Sequence, residues 1–219
     1  MWPGWSLRKM RPVAGNMRRL TEPRIVIASH NSGKLAEISA LLKPRGIDVV
    51  TAADLGLKEP TETEDSFVGN ARIKAHYASK NSGLPSLSDD SGLQVDGLNG
   101  APGVYTADWA ETPDGRDFDV AMTKVQDFMD EINVKEPRTA QFVCTLCLAW
   151  PDGHDEVFEG KVRGTMVWPM RGGLGFGFDP VFQPLGRDLT FGEMDPAEKH
   201  AISHRSEAFR KFTAGCLDG

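Results

Sequence analysis

Positive charge is in short supply in this chain. Lys and Arg total 25 against 31 Asp and Glu, for a formal net charge of -6. That balance argues against a general nucleic-acid surface, which needs a basic excess. It does not argue against a polyphosphate, because a divalent metal and a few placed cations can offset local charge. Cysteine is scarce too, with Cys144, Cys147 and Cys216 the only three. Cys144 and Cys147 form a C-x-x-C inside "TAQFVCTLCLAW", which reads as a strand. Residues three apart on a strand point to opposite faces, so the sulfurs do not converge. No second Cys pair exists to complete a zinc site. Buried, reduced thiols are expected, as in a reducing compartment.

Long apolar runs are missing as well. Nothing approaches the roughly 18 consecutive apolar residues of a membrane span. The first twenty residues, "MWPGWSLRKMRPVAGNMRRL", hold five basic residues and no acid, and Arg and Pro interrupt any apolar core that a secretory signal would need. Residues 1–22 read as a disordered leader or an over-long start, with Met17 an alternative beginning. The expected setting is cytoplasmic, with no membrane and no nucleic acid as partner.

The remaining composition, 40% hydrophobic and 26% charged, is that of an ordinary globular protein. "RIVIAS" reads as a strand, and "GKLAEISALLKPRG" as a helix carrying Leu35, Ile38, Leu41 and Leu42 on one stripe. "IDVVTA" is a second strand. "SFVGNARIKAHYASKNSG" is helical in period, and so is 114–132. "RTAQFVCTLCLAW" and "DEVFEGKVRGTMVW" flank Pro-Asp-Gly at 151–153, a hairpin signature. A helix is expected from about Glu198 to Phe212. Strand–helix alternation followed by a long hairpin predicts an α/β fold with a mixed sheet flanked by helices, in a single domain over 23–219.

Four stretches carry chemistry. In "IVIASHNSGKLAEI" a Gly-Lys pair follows a β-branched run. A Walker loop would need Gly at 28 and Ser or Thr at 35; Ala28 and Leu35 exclude it. What remains is a helix start where Ser29, Asn31 and Ser32 offer polar groups, Gly33 allows close approach and Lys34 brings a charge. Either a phosphate cradle or a capped turn fits. In "SLSDDSGLQVDG", Asp89 and Asp90 are expected at a strand end in a tight turn with Ser91-Gly92. Adjacent carboxylates repel unless a cation or hydrogen bonds hold them, and such hard oxygen ligands suit Mg²⁺. Glu59, Glu62, Glu64 and Asp65 are a second acidic source. "GGLGFGFDPVF" places Phe176 and Phe178 between glycines, to pack on core or on a flat ligand. "EKHAISHRSEAFRKF" crowds Lys199, His200, His204 and Arg205 at a helix start, but lacks the Glu of an H-E-x-x-H zinc motif. Together these describe a metal-dependent nucleotide site.

"SHNSGK", "SDDSGLQVDGLNGAPGVYTA", "GFGFDPVF" and "EKHAISHR", in this order over about Arg24 to Phe212, resemble the non-canonical purine nucleoside triphosphate pyrophosphatases, the inosine/xanthosine triphosphate pyrophosphatase family. The resemblance implies an elongated mixed α/β fold, two lobes with a central substrate cleft, and a homodimer. It implies Mg²⁺-dependent hydrolysis of dITP, ITP and XTP to monophosphate and pyrophosphate, clearing deaminated purines from the nucleotide pool. Carried over, Asp90 is the catalytic base and a metal partner, and Glu62 is the second metal carboxylate, with Glu59 a rival. Ser29, His30, Asn31, Ser32, Gly33 and Lys34 match the substrate-binding segment, with Lys34 on the phosphates, and Ser91 is a substrate contact. Phe176, Gly177, Phe178 and Asp179 match a base-contacting loop, and Lys199, His204 and Arg205 match groups that read the purine. Two departures stand out: Gly69 where relatives often carry Glu, and His30 where a small residue is common. Rival readings are a pyrophosphatase for other modified nucleotides and a nucleotide sensor without turnover.

Overall fold

The computed structural model describes residues 17–218, apart from the side chain of Ser32. Its backbone is one six-stranded mixed sheet. Strands β1 (Arg24–Ala28), β2 (Asp48–Thr51) and β3 (Ser86–Val95) pair in parallel. Strands β6 (Thr139–Ala149), β7 (Asp155–Met166) and β8 (Phe182–Pro184) continue it antiparallel, in the order β2-β1-β3-β6-β7-β8. A separate two-stranded ribbon is formed by β4 (Glu111–Thr112) and β5 (Gly115–Arg116).

Local chemistry explains most boundaries. Helix α1 (Ser32–Leu42) starts where Asn31 Oδ1 accepts from the Lys34 amide. After it a 3-10 turn through Pro44 ends at Gly46, whose φ of 73° is the left-handed region that glycine tolerates. Helix α2 (Phe67–Ser82) is capped by Ser66 and buries Phe67, Ala71, Ala75 and Ala78 against the sheet. The expected hairpin is present, closed by the turn between Ala149 and Asp155.

Three sequence expectations change. The helix expected from 114 begins at Phe118 as α3 (Phe118–Glu131), capped by Asp117, and residues 111–116 form the ribbon instead. The C-terminal helix is two helices, α4 (Pro196–Ile202) and α5 (His204–Phe212). Ser203 ends one and caps the other by accepting from the Ser206 amide. The turn expected at Asp89–Gly92 is a strand interior: β3 runs unbroken, with Asp89 opposite Leu146 and Asp90 opposite Thr145. Turn-forming residue types yield there because β6 pairs with the whole stretch and nearby cations satisfy the carboxylates.

The hairpin strand β6 contributes to three apolar clusters. Ala140 and Phe142 pack with Met122, Val125, Phe182 and Phe191. Cys144, Leu146 and Leu148 pack with Ile25, Ile38, Phe209 and Phe212. Cys147 joins a third group with Ala71 and Ala75. Cys144 and Cys147 thus lie on opposite faces, and all three cysteines are buried and free. Of the expected leader, residues 1–16 lie outside the described residues. Residues 17–22 run beside the hairpin turn, with the Leu20 amide donating to the Cys216 carbonyl and the Arg18 guanidinium 4.4 Å from the Trp150 ring.

Candidate active site

A cavity of about 580 Å³ opens where the C-terminal end of β1, the middle of β3, the start of α5 and the segment before α2 meet. Strand β3 forms its floor, and successive residues of a strand face opposite sides. Asp89 and Asp90 therefore enter two different environments.

Asp89, 1% exposed, faces α1 and α5. Its Oδ1 lies 2.6 Å from Lys34 Nζ and accepts from Ser91 Oγ at 2.5 Å. Its Oδ2 accepts from Arg205 Nε at 2.8 Å and from the Cys144 thiol at 3.2 Å. Four donors meet the roughly four lone-pair positions of a carboxylate. Burial works to raise this carboxyl, but Arg205 and Lys34 overcome it and hold it well below the usual range. Arg205 is itself shared with Glu37, 2.5 Å away.

Asp90 faces α2. Its Oδ1 accepts from Lys74 Nζ at 2.8 Å, and the same ammonium reaches Glu62 Oε1 at 2.9 Å. Its Oδ2 is buried with no hydrogen-bond partner among the described residues. Burial raises the Asp90 carboxyl to about 6, with Lys74 opposing the rise and Glu62 adding to it. An unpartnered carboxylate oxygen with affinity for a proton near neutrality is the profile of a general base. Asp90 and Glu62, whose carboxylates share the Lys74 ammonium through Oδ1 and Oε1, fit a magnesium ion, which takes one or two carboxylates and fills its shell with substrate oxygens and water.

The far end of the cavity is built by the glycine loop and α4–α5. Gly175 and Gly177 have φ of 76° and 66°, so the chain turns sharply around Phe176. A Cβ on Gly175 would overlap the Asp179 carboxylate, which accepts from the Phe176 amide at 2.7 Å and from Lys199 Nζ at 2.5 Å. Phe176 is 43% exposed, with Lys199 Nζ 4.8 Å from its ring centre. Phe178 is core, edge-on to Phe118 at 6.0 Å, so one loop aromatic packs inside while the other stands exposed at the cavity. His204 stacks on Phe142 at 5.0 Å, and its Nδ1 is buried without a partner. Burial, aided by Arg205, keeps this imidazole neutral at neutral pH.

Helix α5 is held to the sheet at Gly160 on β7. A Cβ there would overlap the His204 carbonyl oxygen and the Ala208 amide nitrogen. At Gly92 a Cβ would overlap the Gly103 carbonyl and the Thr106 hydroxyl, so that glycine brings the segment 103–106 down onto the cavity wall.

The structure gathers most of the residues expected from the sequence around this one cavity. Ser29, Asn31 and Lys34 line it, as do Glu62, Asp90 and Ser91, then Phe176 to Asp179, and finally Lys199, His204 and Arg205. His30 does not: its Nε2 lies 3.2 Å from the Leu57 carbonyl. Gly33 is backed by Asn31 and Phe176 rather than lining the space. Ser32 opens α1, and its side chain lies outside the described residues. The basic cluster is not a set of free donors, since Lys199 and Arg205 are tied to carboxylates and His204 is neutral. Sequence reasoning missed Lys74, a lysine at the helical spacing of Phe67, Ala71 and Ala78 and hence on the buried face of α2. It also missed Glu37. At Gly69 a Cβ would fall 2.5 Å from Glu64 Cβ, so the absent side chain leaves room for Glu64 beside the cavity.

Comparison with known proteins meets this geometry independently. The Ham1 family model matches residues 25–215. The dITP/XTP pyrophosphatase of Ruegeria pomeroyi is 61% identical over 89% of this chain and 96% of that protein. That of Agrobacterium fabrum is 56% identical over 92% of this chain and 100% of its own length. Among solved structures, a HAM1 protein from Coxiella burnetii superposes with a TM-score of 0.81 at 36% identity, covering 87% of this chain and 96% of that one. The Staphylococcus aureus Ham1 protein gives 0.77 at 32%, with the same coverage. A family match from the first core strand to the last helix, together with a shared mixed-sheet fold, places this chain in the Ham1 family.

Proposed function

We propose that this chain hydrolyses non-canonical purine nucleoside triphosphates, dITP, ITP and XTP, to the nucleoside monophosphate and pyrophosphate. The observation that carries the reading is Asp90, a buried carboxylate with one oxygen on Lys74 and the other unpartnered, lining a cavity of about 580 Å³. The names of the relatives above agree with it.

The exposed face of Phe176 receives the purine. Lys199 beside it commits one of its three N–H groups to Asp179 and keeps two for a ring carbonyl. A 6-keto purine presents an acceptor there, whereas adenine presents a donor and leaves those N–H groups unpaired. Ser29, Asn31 and the amino end of α1 lie towards the phosphates, where a helix start favours anions. Asp90 Oδ2 takes a proton from water, the water oxygen bonds to the α-phosphorus, and the α–β anhydride bond breaks to release pyrophosphate. Lys74 stays beside the carboxylates and keeps two acids in one pocket. Asp90 and Glu62 are the residues that would hold magnesium, which neutralises phosphate charge and orients the anhydride.

With this activity we place a homodimer acting on free nucleotides in the cytoplasm, residues 23–219 serving as one functional domain. No helix among the described residues is long and apolar enough to cross a membrane. The test is incubation with ITP, XTP, GTP, ATP and dUTP plus Mg²⁺, measuring pyrophosphate. Release from ITP and XTP is expected; release mainly from ATP or dUTP would refute the substrate class, and release from none would refute catalysis.

A further inference from the structure

Five lysine and arginine side chains line the cavity among the described residues: Lys34, Lys74, Arg116, Lys199 and Arg205. Four are already committed to a carboxylate, at 2.6 Å for Lys34, 2.8 Å for Lys74, 2.5 Å for Lys199 and 2.5 Å for Arg205. Arg116 differs. Among the described residues the carboxylate within 4.0 Å of it is that of Glu111, 3.8 Å from Nη2, and both side chains are more than half exposed. A pair at that distance and exposure makes no hydrogen bond and contributes little. Arg116 comes from neither the sheet nor the main helices. It ends β5 of the short ribbon and lines the cavity from there.

Asp108, just before that ribbon, lines the same cavity as Arg116, Glu62, Lys74 and Asp90. Burial and Glu111 raise its carboxyl, Arg116 opposes the rise and Glu62 adds to it. Asp108 thus stands within electrostatic reach of both Arg116 and Glu62, and Glu62 shares Lys74 with Asp90. A nucleoside triphosphate brings up to four negative charges to a pocket whose other cations are already neutralised by neighbours. A guanidinium matches a phosphate with two parallel N–H donors, which an ammonium cannot do.

The geometry points to Arg116 as a further substrate-binding residue, closing from the β4–β5 ribbon onto the terminal phosphates that leave as pyrophosphate. This rests on the function proposed above, so its test uses a probe that needs no turnover. Binding of inorganic pyrophosphate in the presence of Mg²⁺ is measured calorimetrically for the wild type, Arg116→Ala and Arg116→Lys, with inosine monophosphate as a second probe. Charge-assisted hydrogen bonds of this kind correspond to about a 10- to 100-fold change in affinity. Arg116→Ala should weaken pyrophosphate by that factor and leave the monophosphate within about twofold, and Arg116→Lys should fall between. Because the side chain is exposed, melting temperatures should match. An unchanged pyrophosphate affinity, equal weakening of both probes, or a wild type that does not bind pyrophosphate overturns the assignment. A chain that binds pyrophosphate through Arg116 yet hydrolyses no triphosphate would refute the proposed function and leave this inference standing.

Discussion

The two faces of β3 hold the same residue type one position apart and put it to opposite uses. On the α1–α5 side, Asp89 is saturated by Lys34, Ser91, Arg205 and Cys144. On the α2 side, Asp90 has one partner and one bare oxygen. The first carboxyl is driven down by its cations and the second up by its burial. What separates the two acids is the number of donors each meets: four on Asp89, from α1, α5 and the sheet itself, against one on Asp90, from α2.

The sharpest way to break this contrast is to neutralise each acid in turn. Asp90→Asn should lower turnover by about three orders of magnitude, the scale of a lost general base, with the melting curve little changed. Near-normal turnover in that variant would remove Asp90 from the chemistry. Asp89→Asn should act first on stability. It strips Lys34 and Arg205 of a buried counter-charge, at a cost of about 3–5 kcal/mol in urea denaturation. A fully stable but inactive Asp89→Asn protein would mean that the two faces do not differ as described.

The smallest effect is in pH. Burial holds the folded pKa of His204 well below 6.5, while the unfolded chain binds its proton at about 6.5. Below that pH the unfolded state binds more protons, so stability falls as pH falls, by up to about 1.4 kcal/mol per unit for this group. Asp90, raised in the folded state, acts in the opposite sense below about pH 6, so the comparison must be between variants. Between pH 6.5 and 5, His204→Gln should lose less stability than the wild type. Parallel slopes would show that His204 titrates normally.

Much of this was legible in the sequence. The hairpin was announced by Pro-Asp-Gly, and the two first strands by their β-branched runs. All four motif stretches converge on one cavity. Three things were hidden, each for a physical reason. Asp89 to Gly92 are turn-formers by type, and only the pairing with β6 shows them to be a strand. Ser203 breaks the last helix with no Gly or Pro to mark it, through a hydroxyl cap. The ribbon at 111–116 was signalled by Asp114-Gly115 but lost in an apolar helical period. Lys74 could have been found, as a lysine on an apolar helix stripe asks for a buried acid.

Gly160 never reaches the cavity, yet the chain has no room for a methyl there because the backbone of α5 rests on it. The helix that presents His204 and Arg205 is therefore seated like a plate on a machined flat, with the flat on the far strand of the hairpin. Anyone transplanting or redrawing the part of this cavity that holds His204 and Arg205 must carry the glycine along, since a design that copies only the lining residues would copy the tool without its mount.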